Sequence, residues 1–187
     1  MTVEPGENDA AAVERALAGD PDAFGELVSR YHRAVFSIAY RMSGSRTEAE
    51  DLCQDVFLRA YRSLARFDPS LPFGPWLRRI ASNAALNHLR HRGVTRGAVT
   101  EADGAEQDVP DRAAGPEQQA SSAETADRLG RALATLPANQ RLAFTLKYVE
   151  DLTAEEIAEA MDAPRNTVKT WLLRARETLR RALTDDV

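Results

Sequence analysis

Six basic side chains, Arg165, Lys169, Arg174, Arg176, Arg180 and Arg181, meet a single acid, Glu177, within Ala163–Arg181. Asn166 and Thr170 lie among them. Guanidinium, ammonium, amide and hydroxyl groups at such spacing are donors suited to phosphate oxygens and to the edges of bases. Two other groupings carry chemistry. Asn83, Asn87, Arg90 and His91 recur at helical steps and share one side of a helix, while Asp51, Gln54, Asp55 and Leu58 fall on one face of another. His88 and His91 stand one helical turn apart, the spacing of a metal pair, but no carboxylate or cysteine lies at ligand spacing beside them. No glycine loop for phosphate and no nucleophile–base pattern is present. The chemistry on offer is binding, with no cofactor and no catalysis expected.

The basic run stands out because the chain is acidic, with 24 Lys+Arg against 29 Asp+Glu and a net charge of −5. The charge is segregated. Residues 1–23 carry six acids and one base, residues 24–92 carry 11 bases and six acids, and residues 97–127 carry eight acids and one base. Residues 128–187 carry ten bases and nine acids, the bases gathered at the end. Two basic faces therefore flank an acidic spacer, and such local patches govern attraction to phosphate. Cys53 is the lone cysteine, which excludes an intramolecular disulfide and fits a reducing cytosol. The N-terminus lacks a basic-then-apolar leader, and no apolar run approaches the roughly 18 residues of a membrane span. A cytoplasmic protein without membrane insertion is expected.

Helices must position these groups. Asp20 suits an N-cap, Pro21 a first helical position and Gly44 a helix end. Between them Phe24, Leu27, Val28, Tyr31, Val35, Ile38 and Met42 form one apolar stripe. Thr47 with Glu50 reads as a capping box for a second helix, whose apolar stripe is Ala49, Leu52, Cys53, Val56, Phe57, Ala60 and Leu64. After the loop "DPSLPFGP", Pro75 marks the start of a third helix reaching about Arg92, with Leu77, Ile80, Ala81 and Ala84 inward. Residues 93–127 have no period and are rich in Ala, Gly, Glu, Asp, Gln and Pro, a composition that reads as a flexible linker. Helices resume near Asp127. No strand and no internal repeat is evident. The expected fold is all-α: an N-terminal helical domain (22–92) after an acidic extension (1–21), a flexible acidic linker (93–127), and a smaller C-terminal helical domain (128–187).

The last domain explains the basic run. "LTAEEIAEAMDAPRNTVKTWLLRARETLRR" is a helix capped by Thr153 and Glu156, a break at Asp162–Pro164, and a longer helix. Ile157, Met161, Val168, Leu172, Ala175 and Leu179 can bury between the two helices. Arg165, Asn166, Lys169, Thr170 and Arg174 then stay exposed. An isolated basic helix would pass for a solvated face. The capped helix, tight break and basic second helix together make a helix-turn-helix, whose second helix enters the major groove.

These segments together resemble the extracytoplasmic-function (ECF) group of bacterial RNA polymerase sigma factors. "LPANQRLAFTLKYVEDLT" and the helix-turn-helix after it are similar to the group's C-terminal domain. "DAFGELVSRYHRAVFSIAYRM", "AEDLCQDVFLRAYRSLARF" and "FGPWLRRIASNAALNHLR" are similar to consecutive parts of its N-terminal domain. The resemblance covers about 22–92 and 125–183. It departs from the common pattern at Asp162, where glycine is frequent in the turn, at Trp171, where arginine is common, and at Asn87, often an aspartate.

The resemblance implies a factor that binds core RNA polymerase and directs promoter-specific initiation. It places Arg165, Asn166, Lys169 and Thr170 on the bases of the −35 element, with Arg174 and Arg176 on phosphate. It places the loop Phe67–Phe73 and the face with Asn83, Asn87 and Arg90 on the opened −10 element, where an unstacked base needs an apolar or aromatic pocket. Phe67, Phe73 and Trp76 are equally the right types for core. The face of Asp51, Gln54, Asp55 and Leu58 matches the contact to the clamp helices of the largest polymerase subunit. The linker takes the place of the segment that threads through polymerase, either mimicking nucleic acid there or serving as a solubilising tether. An anti-sigma factor is a usual partner in the group. A repressor or activator using only the C-terminal half is the alternative, and it leaves the N-terminal similarity unexplained.

Overall fold

The computed structural model describes residues 7–96 and 128–184. The acidic stretch 97–127, most of the expected linker, lies outside the described residues. Within them the chain is helical and contains no strand. In order come α1 (Glu7–Leu17), α2 (Pro21–Ser43), α3 (Arg46–Ser63), a 3₁₀ turn (Leu64–Arg66) and α4 (Phe73–Arg96). Then follow α5 (128–134), α6 (Ala138–Tyr148), α7 (Ala154–Ala160) and α8 (Arg165–Thr184).

α2 forms where its caps say it should. Asp20 accepts from the backbone N–H groups of Asp22 and Ala23, Pro21 occupies the first turn, and Gly44 ends the helix at φ 75°. The expected stripe is buried along its length, with Val28 half-buried. The start of α3 differs from the sequence reading. Ser45, not Thr47, is the N-cap, and its hydroxyl accepts from the N–H of Glu48. Because Gly44 turns the chain back at once, Ser45 is already extended (φ −133°) and α3 begins at Arg46. Glu50 is thereby left to pair with Arg46 at 3.1 Å. α4 starts at Phe73, ahead of Pro75, and runs to Arg96, past the expected end. Proline is harmless in a first turn, whose N–H groups lack helical partners anyway, and continuing through Gly93 costs only about 1 kcal/mol. α1 was not foreseen as a helix. Its Ala12 and Val13 are buried against the bundle.

α1, α3 and α4 pack around α2. α6 and α7 pack on α8, and they also pack on the N-terminal bundle: α6 on α2 and α4, α7 on α4. One buried cluster consequently runs from Leu27, Val56 and Leu77 through Leu142, Leu146 and Ile157 to Val168 and Leu172. Among the described residues, Ala132, Leu133, Leu136, Ala175 and Leu179 form a separate small core. Polar groups line the seam between the halves. Arg141 donates to the carbonyls of Met42 (3.0 Å), Ala134 (2.5 Å) and Leu136 (3.5 Å), joining the end of α2 to the end of α5. Within the N-terminal half, Arg92 donates to the Ser43 carbonyl and to Glu48, both at 2.7 Å. Two guanidiniums thus satisfy carbonyls that α2 leaves open at its C-terminus, where positive charge is favoured. Nearby, burial raises the carboxyl pKa of Glu150 against the lowering influence of Arg78 and Arg41.

Candidate nucleic-acid interface

The helix-turn-helix is built as its sequence requires. Thr153 and Glu156 make the reciprocal capping box of α7. Met161 closes that helix, and Asp162 takes the left-handed turn conformation at φ 49°, a position aspartate tolerates better than most residues. Ile157, Met161, Val168, Leu172, Ala175 and Leu179 are all buried. With 100° per residue, that burial fixes the outward side of α8. Arg165, Asn166, Lys169, Thr170, Arg174 and Arg176 are all exposed.

Some of these groups already have partners. Arg165 Nη2 lies 2.5 Å from Glu155 Oε1, tying the start of α8 to the first turn of α7. Thr170 donates its hydroxyl to the Asn166 carbonyl at 2.9 Å, leaving its oxygen to accept. Arg176 Nε contacts the Leu172 carbonyl at 3.4 Å. Trp171 is half-buried and packs on the large core, so this chain uses for packing a position where arginine is common. Sequence reading passed over Leu173. It is 51% exposed in the middle of the basic face, flanked by Lys169, Asn166 and Thr170. An apolar residue out of step with the buried stripe was the available clue.

On α4, Asn83, Asn87 and Arg90 are exposed along one side, and Arg90 Nη1 donates to Asn87 Oδ1 at 2.9 Å. Arg79, one turn before Asn83, reaches Asp162 in the helix-turn-helix break at 3.9 Å. Phe67 and Phe73 flank the loop. They are buried, with rings 5.8 Å apart, and both pack on Trp76 at 4.8 and 5.3 Å. Their large apolar area is better satisfied in the bundle than in the loop between them. What that loop exposes is Leu71, 58% accessible, in a turn where the Asp68 carboxylate accepts from Ser70 N–H and Oγ–H. His88 is turned to Glu48, with Nε2 2.9 Å from Oε2.

The third grouping is also on the surface. Asp51 and Gln54 are exposed, Asp55 pairs with Arg59 at 2.8 Å, and Leu58 is 45% exposed among them. Beside them, Phe24, Val28, His32, Phe57 and Tyr61 line a groove of about 430 Å³ that Gln54 and Leu58 also border. These flanking residues come from two helices, so only packing brings them together. Cys53 lies at the floor, its thiol pushed by burial up to about 11 and hence unreactive as a thiolate nucleophile.

A surface of this kind has known counterparts. The Sigma-70 region 2 family matches residues 27–95, and the Sigma-70, region 4 family matches residues 121–179. The ECF RNA polymerase sigma factor SigW of Bacillus subtilis is 35% identical over 179 residues, 92% of this chain and 95% of its own. The chain belongs to the ECF sigma factors. The ECF RNA polymerase sigma-E factor of Escherichia coli K12 is 36% identical over 180 residues, 91% of this chain and 92% of its own. Among solved structures, CnrH in complex with the cytosolic domain of CnrY superposes with a TM-score of 0.71 at 26% identity, covering 97% of this chain and 100% of that one. As a sigma factor the protein is not an enzyme. It directs RNA polymerase to promoters and initiates transcription there. Among the described residues no helix is long and apolar enough to cross a membrane.

Proposed function

We propose that α8 reads the −35 element as duplex DNA and that the exposed side of α4, with the 68–72 loop, reads the −10 element. The observation that carries the first assignment is the division of α8 into a buried apolar stripe and an exposed, largely polar face. Arg165, Asn166, Lys169 and Thr170 are the base readers, Arg174 and Arg176 the phosphate contacts, and Leu173 is placed to meet a thymine methyl. Asn83, Asn87 and Arg90 supply hydrogen bonds to exposed base edges of the −10 strand, and Leu71 supplies an apolar surface for an unstacked base. Phe67 and Phe73 support that loop from beneath.

Asp51, Gln54, Asp55 and Leu58 bind the polymerase clamp helices, and the adjoining groove extends that contact. The division into a polymerase- and −10-binding domain (22–92), a linker (93–127) and a −35-binding domain (128–187) follows from the promoter itself. The two elements are separate sites along the promoter duplex. Arg79 and Asp162 bring the two readers within ion-pair distance, so the halves must part to engage both. Residues 97–127 can reach about 100 Å when extended, enough to let them. The solved structure matched above is CnrH in complex with the cytosolic domain of CnrY, and an anti-sigma factor is correspondingly the partner that would hold this chain inactive in the cytoplasm.

Transcription by holoenzyme on a panel of upstream-element variants tests the assignment. Arg165→Ala is expected to lose roughly 1–3 kcal/mol and relax preference at one or two base pairs. Arg176→Ala is expected to weaken all promoters alike and to lessen salt sensitivity. Unchanged preference in Arg165→Ala would show that α8 does not read bases through this residue.

A further inference from the structure

α1 lies ahead of the matched sigma region, which begins at residue 27. Its apolar residues Ala12 and Val13 suffice to seat it, yet it also buries a carboxylate. Asp9 is 4% exposed. Oδ2 accepts the Tyr31 hydroxyl at 2.5 Å and Oδ1 accepts from Arg30 Nη1. Burying a carboxylate is costly unless every partner is in place, so such a group fixes geometry more than it adds stability. Burial also raises the Tyr31 phenol above its ordinary value, against the lowering effect of Arg78 and Arg30. The hydroxyl therefore stays protonated and donates.

Tyr31 in turn touches the start of α4. Its ring is 5.5 Å from that of Phe73, and a Cβ on Gly74 would meet the hydroxyl at 3.0 Å. A side chain at residue 74 would require the Tyr31 ring to give by a few tenths of an ångström. Phe73 is one of the two buried rings that bracket the 68–72 loop, and Phe67 is the other. α1 itself packs against the 3₁₀ turn on one side of the loop and α4 on the other. A continuous buried path therefore runs from Asp9 through Tyr31 to the first turn of α4 and the loop that exposes Leu71.

We propose that Asp9 is a positioning residue for −10 recognition, holding Tyr31 so that the 68–72 loop and the first turns of α4 are set for the opened strand. This rests on the reading of α4 and the loop as the −10 reader. Asp9 touches no DNA. Its role is to brace the edge formed by that loop and α4, which lowers the cost of ordering it on binding.

The test compares Asp9→Ala, Tyr31→Phe and Asn87→Ala in holoenzyme. Each is assayed on promoter variants in the −10 and −35 elements and on a promoter whose −10 region is pre-opened by mismatches. Tyr31→Phe keeps the ring and removes one hydroxyl, so it serves if Asp9→Ala does not fold. The expected result is a roughly tenfold loss of open complexes on duplex promoter, the scale of one charge-assisted hydrogen bond. Flattened preference among −10 variants accompanies it, while −35 preference and polymerase affinity stay unchanged. Pre-opening should recover only part of the loss, since the strand must still be read. A uniform loss across all promoters, or reduced polymerase affinity, would reduce Asp9 to a fold-stabilising role and overturn the proposal. So would unchanged −10 preference in a folded Tyr31→Phe. If Asn87→Ala also leaves −10 preference unchanged, the reading of α4 fails. If Asn87→Ala alters it and the other two do not, only the positioning role fails.

Discussion

The two halves of this sigma factor support the polar helix faces proposed to meet DNA by different means. In the N-terminal half α2, α3 and α4 bury each other along long stripes, and a buried aromatic group and the Asp9–Tyr31 link fix one end of the reader helix. In the C-terminal half α7 has seven residues, and the separate core holds five buried residues. Its remaining apolar side chains, from Leu142 to Leu172, are covered in part by the N-terminal bundle. One reader therefore rests on its own core and the other borrows part of its support. If the halves part on a promoter, as proposed, the face of α6 and α7 loses its cover. That exposed apolar surface is suited to a new partner, whether polymerase or an anti-sigma factor.

The comparison breaks most easily at the shared core. Val168 is fully buried, and Val168→Asp places an unpaired charge there, with an expected loss of roughly 4 kcal/mol or more. Hydrogen exchange should show residues 138–184 losing protection while α2–α4 keep theirs. Equal loss in both halves would mean that neither core stands alone. A second, smaller effect on stability goes with a large one on binding. Asp51→Lys with Asp55→Lys should abolish capture by core polymerase while shifting stability by only about 0.5 kcal/mol per site, since both lie off the apolar stripe. Retention of full binding by a folded double variant in a pull-down with circular dichroism would remove this face from the interface. Next comes the Glu155–Arg165 pair. Both partners are exposed, so Glu155→Ala should cost at most about 1 kcal/mol of stability. Its effect on −35 preference should vanish in an Arg165→Ala background, a coupling that transcription from the same variant panel reads directly.

The smallest effect probes the seam. Burial raises the carboxyl pKa of Glu150 above its ordinary 4.5. A carboxyl with a raised folded pKa contributes stability that is full below the ordinary value and lost as pH rises through the raised one. Glu150→Gln should therefore raise the melting temperature at neutral pH, with the gain disappearing below about pH 4.5, where both side chains are neutral. A gain that persists at low pH would assign the effect to packing instead of charge.

Much of this architecture was legible in local pattern. Asp20, Pro21 and Gly44 bound α2, and Thr153 with Glu156 start α7, because caps act over three or four residues of adjacent chain. The alternation of Val168, Leu172, Ala175 and Leu179 with basic residues fixed both faces of α8, since a helix of known pitch has no freedom to rotate one set without the other. At the start of α3 local pattern chose Thr47 wrongly, because the immediate turn after Gly44 made Ser45 the cap.

The groups that pattern could not place are those whose partners lie far along the chain. Phe67 and Phe73 suit either a base-binding loop or a core, and only their packing on Trp76 and Tyr31 chose the core. Leu58 and Tyr61 gained a groove only when α2 supplied Phe24, Val28 and His32. Asp9 reads as one more acid in an acidic extension until Tyr31 and Arg30, more than twenty residues away, enclose it. Sequence by itself determined the described helices other than α1, their faces and the family, because these follow from short-range geometry and from the order of motifs. Tertiary structure alone decided which apolar groups are buried between elements and which charges are enclosed, because burial depends on what lies across the gap.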